Sequence, residues 1–120
     1  GLIIVDSFVT LYRMELDQNN FQEINKQLAT QYSMLLRVAR KHGIPVIVTN
    51  QVYSSGKDIQ MTSKDIAKYW SKTIVQLKKL DKPNHRIAIL RKHRSLPEGK
   101  SMEFEITQDG FKEVGKLSLF

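Results

Sequence analysis

Two hydrophobic periods divide the chain. In Leu2-Ile3-Ile4-Val5 and Ile44-Pro45-Val46-Ile47-Val48 the apolar positions are nearly contiguous and rich in branched side chains. That pattern predicts two short strands buried on both faces, with proline tolerated where the second begins. Between them Phe21, Ile24, Leu28, Tyr32, Leu35, Leu36 and Ala39 recur at helical spacing. Asn20 stands as N-cap with Glu23 in the capping-box position. Arg37, Arg40, Lys41 and His42 fall in the last turns, where cations suit the helix dipole, and Gly43 supplies the stop. Strand, helix, strand in this order predicts a right-handed parallel crossover.

Beyond Thr49 the pattern weakens and then changes. Val52 to Met61 shows no period, and Thr62 and Asp65 are placed to cap a short helix ending near Ser71. Thr73 to Leu80 alternates like a strand, Asp81 to Asn84 reads as a turn, and Arg86 to Lys92 is the expected antiparallel partner. Leu96-Pro97-Glu98-Gly99 breaks the chain. Met102, Phe104 and Ile106 then alternate with Glu103, Glu105 and Thr107, as in a strand with one wet face. Gln108-Asp109-Gly110 turns into Phe111 and the tail. There are no repeats and no low-complexity tract.

Composition narrows the function classes. With 41% hydrophobic and 26% charged residues the chain is ordinary globular material. No apolar run approaches the roughly 20 residues of a membrane span, so no membrane partner is expected. No cysteine is present, which removes disulfides and thiolate metal sites and makes a cytoplasmic location the default. The net charge of +7 is concentrated: residues 64–100 carry eleven Lys/Arg against three Asp/Glu. Such a segment suits a polyanion or forms a solvated basic face, and charge alone does not separate the two.

In a parallel crossover the carboxyl ends of both strands share one edge, where ligands of open α/β folds bind. Here that edge receives Asp6-Ser7 from one strand and Thr49-Asn50-Gln51 from the other. An acid directly after an apolar strand suits Mg²⁺, which keeps several waters and takes one or two carboxylates plus phosphate oxygens. An acid that merely caps a strand end gives the same pattern. Gly99-Lys100-Ser101 imitates the tail of a phosphate-binding loop. The required earlier glycine falls on Arg94, though, and an alternating strand follows where a helix should open. His42, His85 and His93 show no metal-ligand spacing, and Ser7, Ser33 and His42 lie on no nucleophile elbow.

Leu2-Ile3-Ile4-Val5-Asp6-Ser7 followed by Leu11-Tyr12-Arg13 resembles the Walker B segment of the RecA/RadA recombinases. Val46 to Val52 resembles their motif linking the nucleotide to a DNA-binding loop, and Leu35 to Lys41 is similar to the helix between. Asn50-Gln51-Val52-Tyr53-Ser54, Tyr69-Trp70-Ser71-Lys72 and Lys92 to Gly99 are most similar to the archaeal RadB branch of that family. The resemblance runs from residue 2 to about 111. It implies an α/β fold, the C-terminal portion of a RecA-like P-loop NTPase core. Parallel strands would be joined by antiparallel C-terminal strands with flanking helices, and residues 1–120 would form part of a single core.

By the same resemblance, Asp6 would act on Mg²⁺ through water and Gln51 would sense the γ-phosphate of ATP. Arg13, in a loop reaching to Asn20, and Tyr53, Lys57 and Lys64, in a loop over 52–64, would contact DNA, expected to be single-stranded. Lys92 and Arg94 would reach the nucleotide of a neighbouring subunit, with Pro97 in a cap over it, so a homo-oligomer or a recombinase partner is implied. The family's P-loop precedes its Walker B strand. The chain as it stands is therefore expected to hold ATP poorly and not to hydrolyse it alone, and the full-length protein to be a weak DNA-dependent ATPase at most. The implied role is accessory, in homologous recombination and DNA repair. The RadA recombinase itself, a non-catalytic interaction module with a basic surface, and an RNA-binding domain are the alternatives.

Overall fold

The computed structural model describes residues 1–7, 21–55, 58–61 and 65–118. They fall into two compact units, Gly1–Trp70 and Ser71–Phe120.

In the first unit, strand β1 (Ile3–Val5) pairs in parallel with β2 (Val46–Val48), Ile3 opposite Val46 and Val5 opposite Val48. Helix α1 (Phe21–His42) connects them, as the apolar periods predict. Its buried residues Ile24, Leu28 and Tyr32 are spaced by four, which stacks them on one face. Leu28 and Tyr32 form a core with Ala67 of α2 (Asp65–Trp70), and Val5, Leu35, Val48, Ile66 and Trp70 pack around it. Gly43, at φ 62°, ends α1 in the left-handed region, and the Ile44 N–H donates back to the Ala39 carbonyl at 3.1 Å. That is the six-to-one bond of a Schellman closure.

Two expectations for this unit are corrected. The strands are not buried on both faces: Ile4 is 61% and Ile47 50% exposed. Residues alternate across a strand, and α1 covers only the side carrying Ile3, Val5, Val46 and Val48. The segment after Gln51 is not irregular, either. Strands β3 (Val52–Ser55) and β4 (Asp58–Met61) form an antiparallel hairpin with Val52 opposite Met61 and Ser55 opposite Asp58. Only Gly56 and Lys57 separate them, and glycine leading a two-residue connection is a hairpin signal.

The second unit is a four-stranded antiparallel sheet in chain order: β5 (Ile74–Lys79), β6 (His85–Lys92), β7 (Ser101–Thr107) and β8 (Gly110–Ser118). The first turn closes with Leu80 N–H on the His85 carbonyl and His85 N–H on that of Lys82, both 3.1 Å, with Asn84 at φ 64°. Asn tolerates that left-handed region better than most residues. Register places Val75 and Leu77 on one sheet face with Ala88, Met102, Phe104 and Ile106. Phe111 of β8 joins this face, its ring edge-on to Phe104 with centroids 5.5 Å apart. On the opposite face the His85 ring is buried and its Nδ1 lies 3.1 Å from Glu103 Oε1.

Strand β7 forms as expected, but its exposure does not follow the apolar alternation, Phe104 being half-buried like the glutamates beside it. Met102 and Ile106 are exposed while Glu103 and Glu105 are half-buried. Glu103 is held inward by His85, and the apolar face it leaves behind is open. Residues after Phe111 are not a bare tail but β8. Its register shifts between Ser101 and Glu103, with Gly115 at φ 77°. A bulge of this kind removes the strict alternation by which strands are read.

Candidate functional site

The parallel pairing of β1 and β2 is carried past their ends by the Thr49 N–H, which donates to the Val5 carbonyl at 3.0 Å. This brings the residues after each strand side by side. The Thr49 hydroxyl donates to Asp6 Oδ1 at 2.6 Å. One carboxylate oxygen is thereby engaged and oriented, and Asp6 as a whole stays exposed. A charge-assisted hydrogen bond of this length is strong for its type. The peptide bond between Asp6 and Ser7 is cis.

Behind this pair the rim is tied to the helix. Asn50 Nδ2 donates to the Tyr32 hydroxyl at 2.9 Å. Burial pushes the Tyr32 phenol above its usual range, and the bond from Asn50 offsets part of that rise. Ser7 Oγ and Asn50 Oδ1 are buried yet lack a hydrogen-bond partner among the described residues. Leaving such atoms unpaired costs about 1–3 kcal/mol each, so among the described residues the rim is short of polar partners. Gln51, next in the chain, is exposed at the head of the hairpin and itself engaged in a contact.

Would Mg²⁺ and a nucleotide fit here? Among the described residues no group of three His, Cys, Asp or Glu could cage a metal. The donors on hand are the Asp6 carboxylate and the Ser7 and Thr49 hydroxyls. That set suits Mg²⁺ held by a carboxylate through water and completed by phosphate oxygens.

The other predicted residues are distributed as follows. Tyr53 lies on β3 opposite Gln60. Arg13, Lys57 and Lys64 lie outside the described residues. Lys92, Arg94 and Pro97 belong to the second unit, where Lys92 ends β6 and Arg94 and Pro97 are exposed. The loop carrying them is closed at its base: Gly99 N–H donates to the Leu90 carbonyl at 2.9 Å, and Leu90 N–H to that of Lys100 at 2.8 Å. Within the loop His93 Nδ1 accepts from the Ser95 and Leu96 N–H groups at 3.1 and 3.0 Å. Lys100-Ser101 leads into β7, so this segment is no phosphate-binding loop.

Thr49, Asn50 and Tyr32 are the site residues whose contacts sequence reasoning missed. The first two were placed on the rim by strand order, but their partners were not. By its helical spacing Tyr32 is one more apolar position of α1. His93 gives no signal in the sequence because its partners are backbone amides two and three residues ahead, a pattern familiar for Asn and Asp but not for His.

No helix among the described residues is long and apolar enough to cross a membrane. The Rad51 family model matches residues 1–114. Two proteins described as "DNA repair and recombination protein RadB" are each 40% identical to this chain. The one from Methanobrevibacter smithii aligns with 91% of the chain and 48% of its own length, and the one from Methanococcus maripaludis with 97% and 54%. A solved structure described as the crystal structure of the RadB recombinase superposes with a TM-score of 0.73 at 36% identity, covering 95% of this chain and 51% of that one. The chain thus spans about half the length of the relatives it matches. The parallel pair with its helix, the antiparallel strands that follow and the family match over residues 1–114 agree: this chain has a RecA-like fold and belongs to the Rad51 family.

Proposed function

We propose that this chain is the C-terminal portion of the RecA-like core of an accessory DNA repair and homologous recombination protein similar to RadB. In full-length form that protein binds ATP with Mg²⁺ and single-stranded DNA in the cytoplasm, and it is a weak DNA-dependent ATPase at most. The observation that carries this reading is the 2.6 Å bond between Thr49 and Asp6. It joins the acid after one strand to the polar segment that leads directly into the β3–β4 hairpin. In this reading Asp6 holds Mg²⁺ through water, which steadies the bound phosphates. Gln51 senses the γ-phosphate and sets the hairpin's position. Tyr53 stacks on a base, and Lys57, Lys64 and Arg13 pair with phosphates. Lys92 and Arg94 face the nucleotide of a neighbouring subunit, with Pro97 in the loop that covers it. Cations aimed there would stabilise charge on the phosphates.

The test is single-stranded DNA binding by the full-length protein across a salt series, with and without Mg²⁺-ATP. Each phosphate contact contributes a slope of about −0.7 in log affinity against log salt. The expected result is a slope that changes with nucleotide in the native protein and ceases to change in Gln51→Ala. Binding indifferent to nucleotide, with or without that substitution, would instead favour a non-catalytic interaction module with a basic surface.

A further inference from the structure

An open cleft of about 480 Å³ lies on the first unit, between the C-terminal half of α1 and the end of α2. It is lined by Ser33, Leu36, Arg37, Arg40, Lys41 and Trp70. Its size is within the ~300–1,000 Å³ usual for small-molecule sites. Tyr32 is the α1 residue that reaches the Asp6 rim. At about 1.5 Å per residue, Arg37 to Lys41 sit roughly 7–14 Å farther along the helix. The cleft is therefore not the rim by another name.

Three observations define what it would hold. Arg37, Arg40 and Lys41 are spaced by three and four, which gathers their charges on one helix face. All three are exposed, and no ion pair is formed by any of them among the described residues. No Asp or Glu lines the cleft, and none occurs in the sequence from Ile24 to Lys57. Finally, the half-buried Trp70 ring forms an aromatic wall, and the Tyr69 ring meets it edge-on with centroids 5.3 Å apart. Cations near a helix C-terminus complement the helix dipole whether or not anything binds. Dipole complementation accounts for the charges and packing on the core seats part of the indole, but neither accounts for the rest of the ring lining the cleft beside three cations.

We infer that this cleft binds a nucleotide unit, its phosphate held by Arg37, Arg40 and Lys41 and its base stacked on Trp70. Guanidinium groups match phosphate oxygens with paired donors, and a base can stack on an indole whatever its identity. The negative end of the helix dipole opposes an anion here, so a single cation would not suffice. The unit comes either from a free nucleoside phosphate or from a nucleic-acid strand. Neither source requires Mg²⁺ at Asp6, so the inference does not rest on the proposed function of the rim.

Trp70 is the sole tryptophan of residues 1–120, so within this stretch tryptophan fluorescence reports on the cleft, and the Trp70→Phe variant gives the signal to subtract. The experiment titrates the protein in EDTA with AMP, oligo(dT), inorganic phosphate and a glutamate-rich peptide. Saturable quenching by AMP or oligo(dT), weakened about tenfold or more in the exposed double variant Arg37→Gln/Arg40→Gln, is expected. Saturation by AMP identifies a free nucleotide as the source; saturation by oligo(dT) alone identifies a strand. With labelled oligo(dT) or AMP followed by anisotropy, Trp70→Phe should retain most of the affinity that Trp70→Ala loses. Quenching unchanged in the double variant would overturn the inference. So would phosphate competing as well as nucleotide, or binding of the acidic peptide alone.

Discussion

Asn50 donates its side-chain amide to the hydroxyl of Tyr32, 2.9 Å away, so the helix that covers the parallel strands also holds the segment after the second strand. The contact spans 18 positions and ends on a phenol that is 5% exposed. Tyr32→Phe keeps the ring but strands the Asn50 amide. A loss of about 1–3 kcal/mol is expected, read as a lower urea midpoint, and an unchanged midpoint would show that the amide finds another acceptor.

The same phenol carries a pH signature. Its pKa in the fold lies above the reference value of 10.0 because burial disfavours the phenolate. The un-ionised form is thus the one the fold prefers. Its stabilising contribution is complete below pH 10 and is lost as pH rises through the folded-state pKa. Urea midpoints measured on the alkaline side should fall more steeply in the native protein than in Tyr32→Phe. Parallel pH profiles would contradict this.

Leu28 is 1% exposed at the centre of the first unit's core. Leu28→Ala should cost about 2–5 kcal/mol, from lost burial and the cavity left behind. Thermal unfolding followed by circular dichroism measures it; a cost under about 1 kcal/mol would mean that neighbouring side chains close the gap.

Removing the hydroxyl donor with Thr49→Val should cost no more than about 1.5 kcal/mol of stability, since the bond is exposed. In the full-length protein it should nevertheless weaken Mg²⁺-ATP binding several-fold, because Asp6 is no longer oriented. Calorimetric titration of native and variant proteins compares the two, and equal affinities would reduce the bond to a strand-end cap.

His93 is expected to order its loop through the two amides it accepts from. In His93→Ala the Ser95 and Leu96 amides should exchange with solvent about five- to tenfold faster, in line with roughly 1 kcal/mol per hydrogen bond. Exchange rates resolved by NMR decide this, and unaltered protection of both amides would remove the ring from the account.

Much of the architecture was legible because it is periodic. The two apolar strands, the long helix, the β5–β6 pair and β7 each announce themselves by spacing. The β3–β4 hairpin does not, since Val52-Tyr53-Ser54-Ser55 has no alternation and Asp58 to Met61 alternates over only four residues. Strand β8 hides behind its bulge at Gly115. At the site, strand order alone brings Asp6 to Thr49 and Asn50. The contacts themselves depend on helix phase and on a bond spanning 43 positions, and no local pattern encodes either.

Only Thr49, Asn50 and Gln51 separate the end of β2 from the start of the hairpin. A fully extended residue spans at most about 3.3–3.6 Å, so the hairpin is leashed to the strand end by little more than 10 Å of chain. A leash that short has almost no slack. Whatever the hairpin meets, it can swing only within that radius of the strand end that also carries the Asp6 rim.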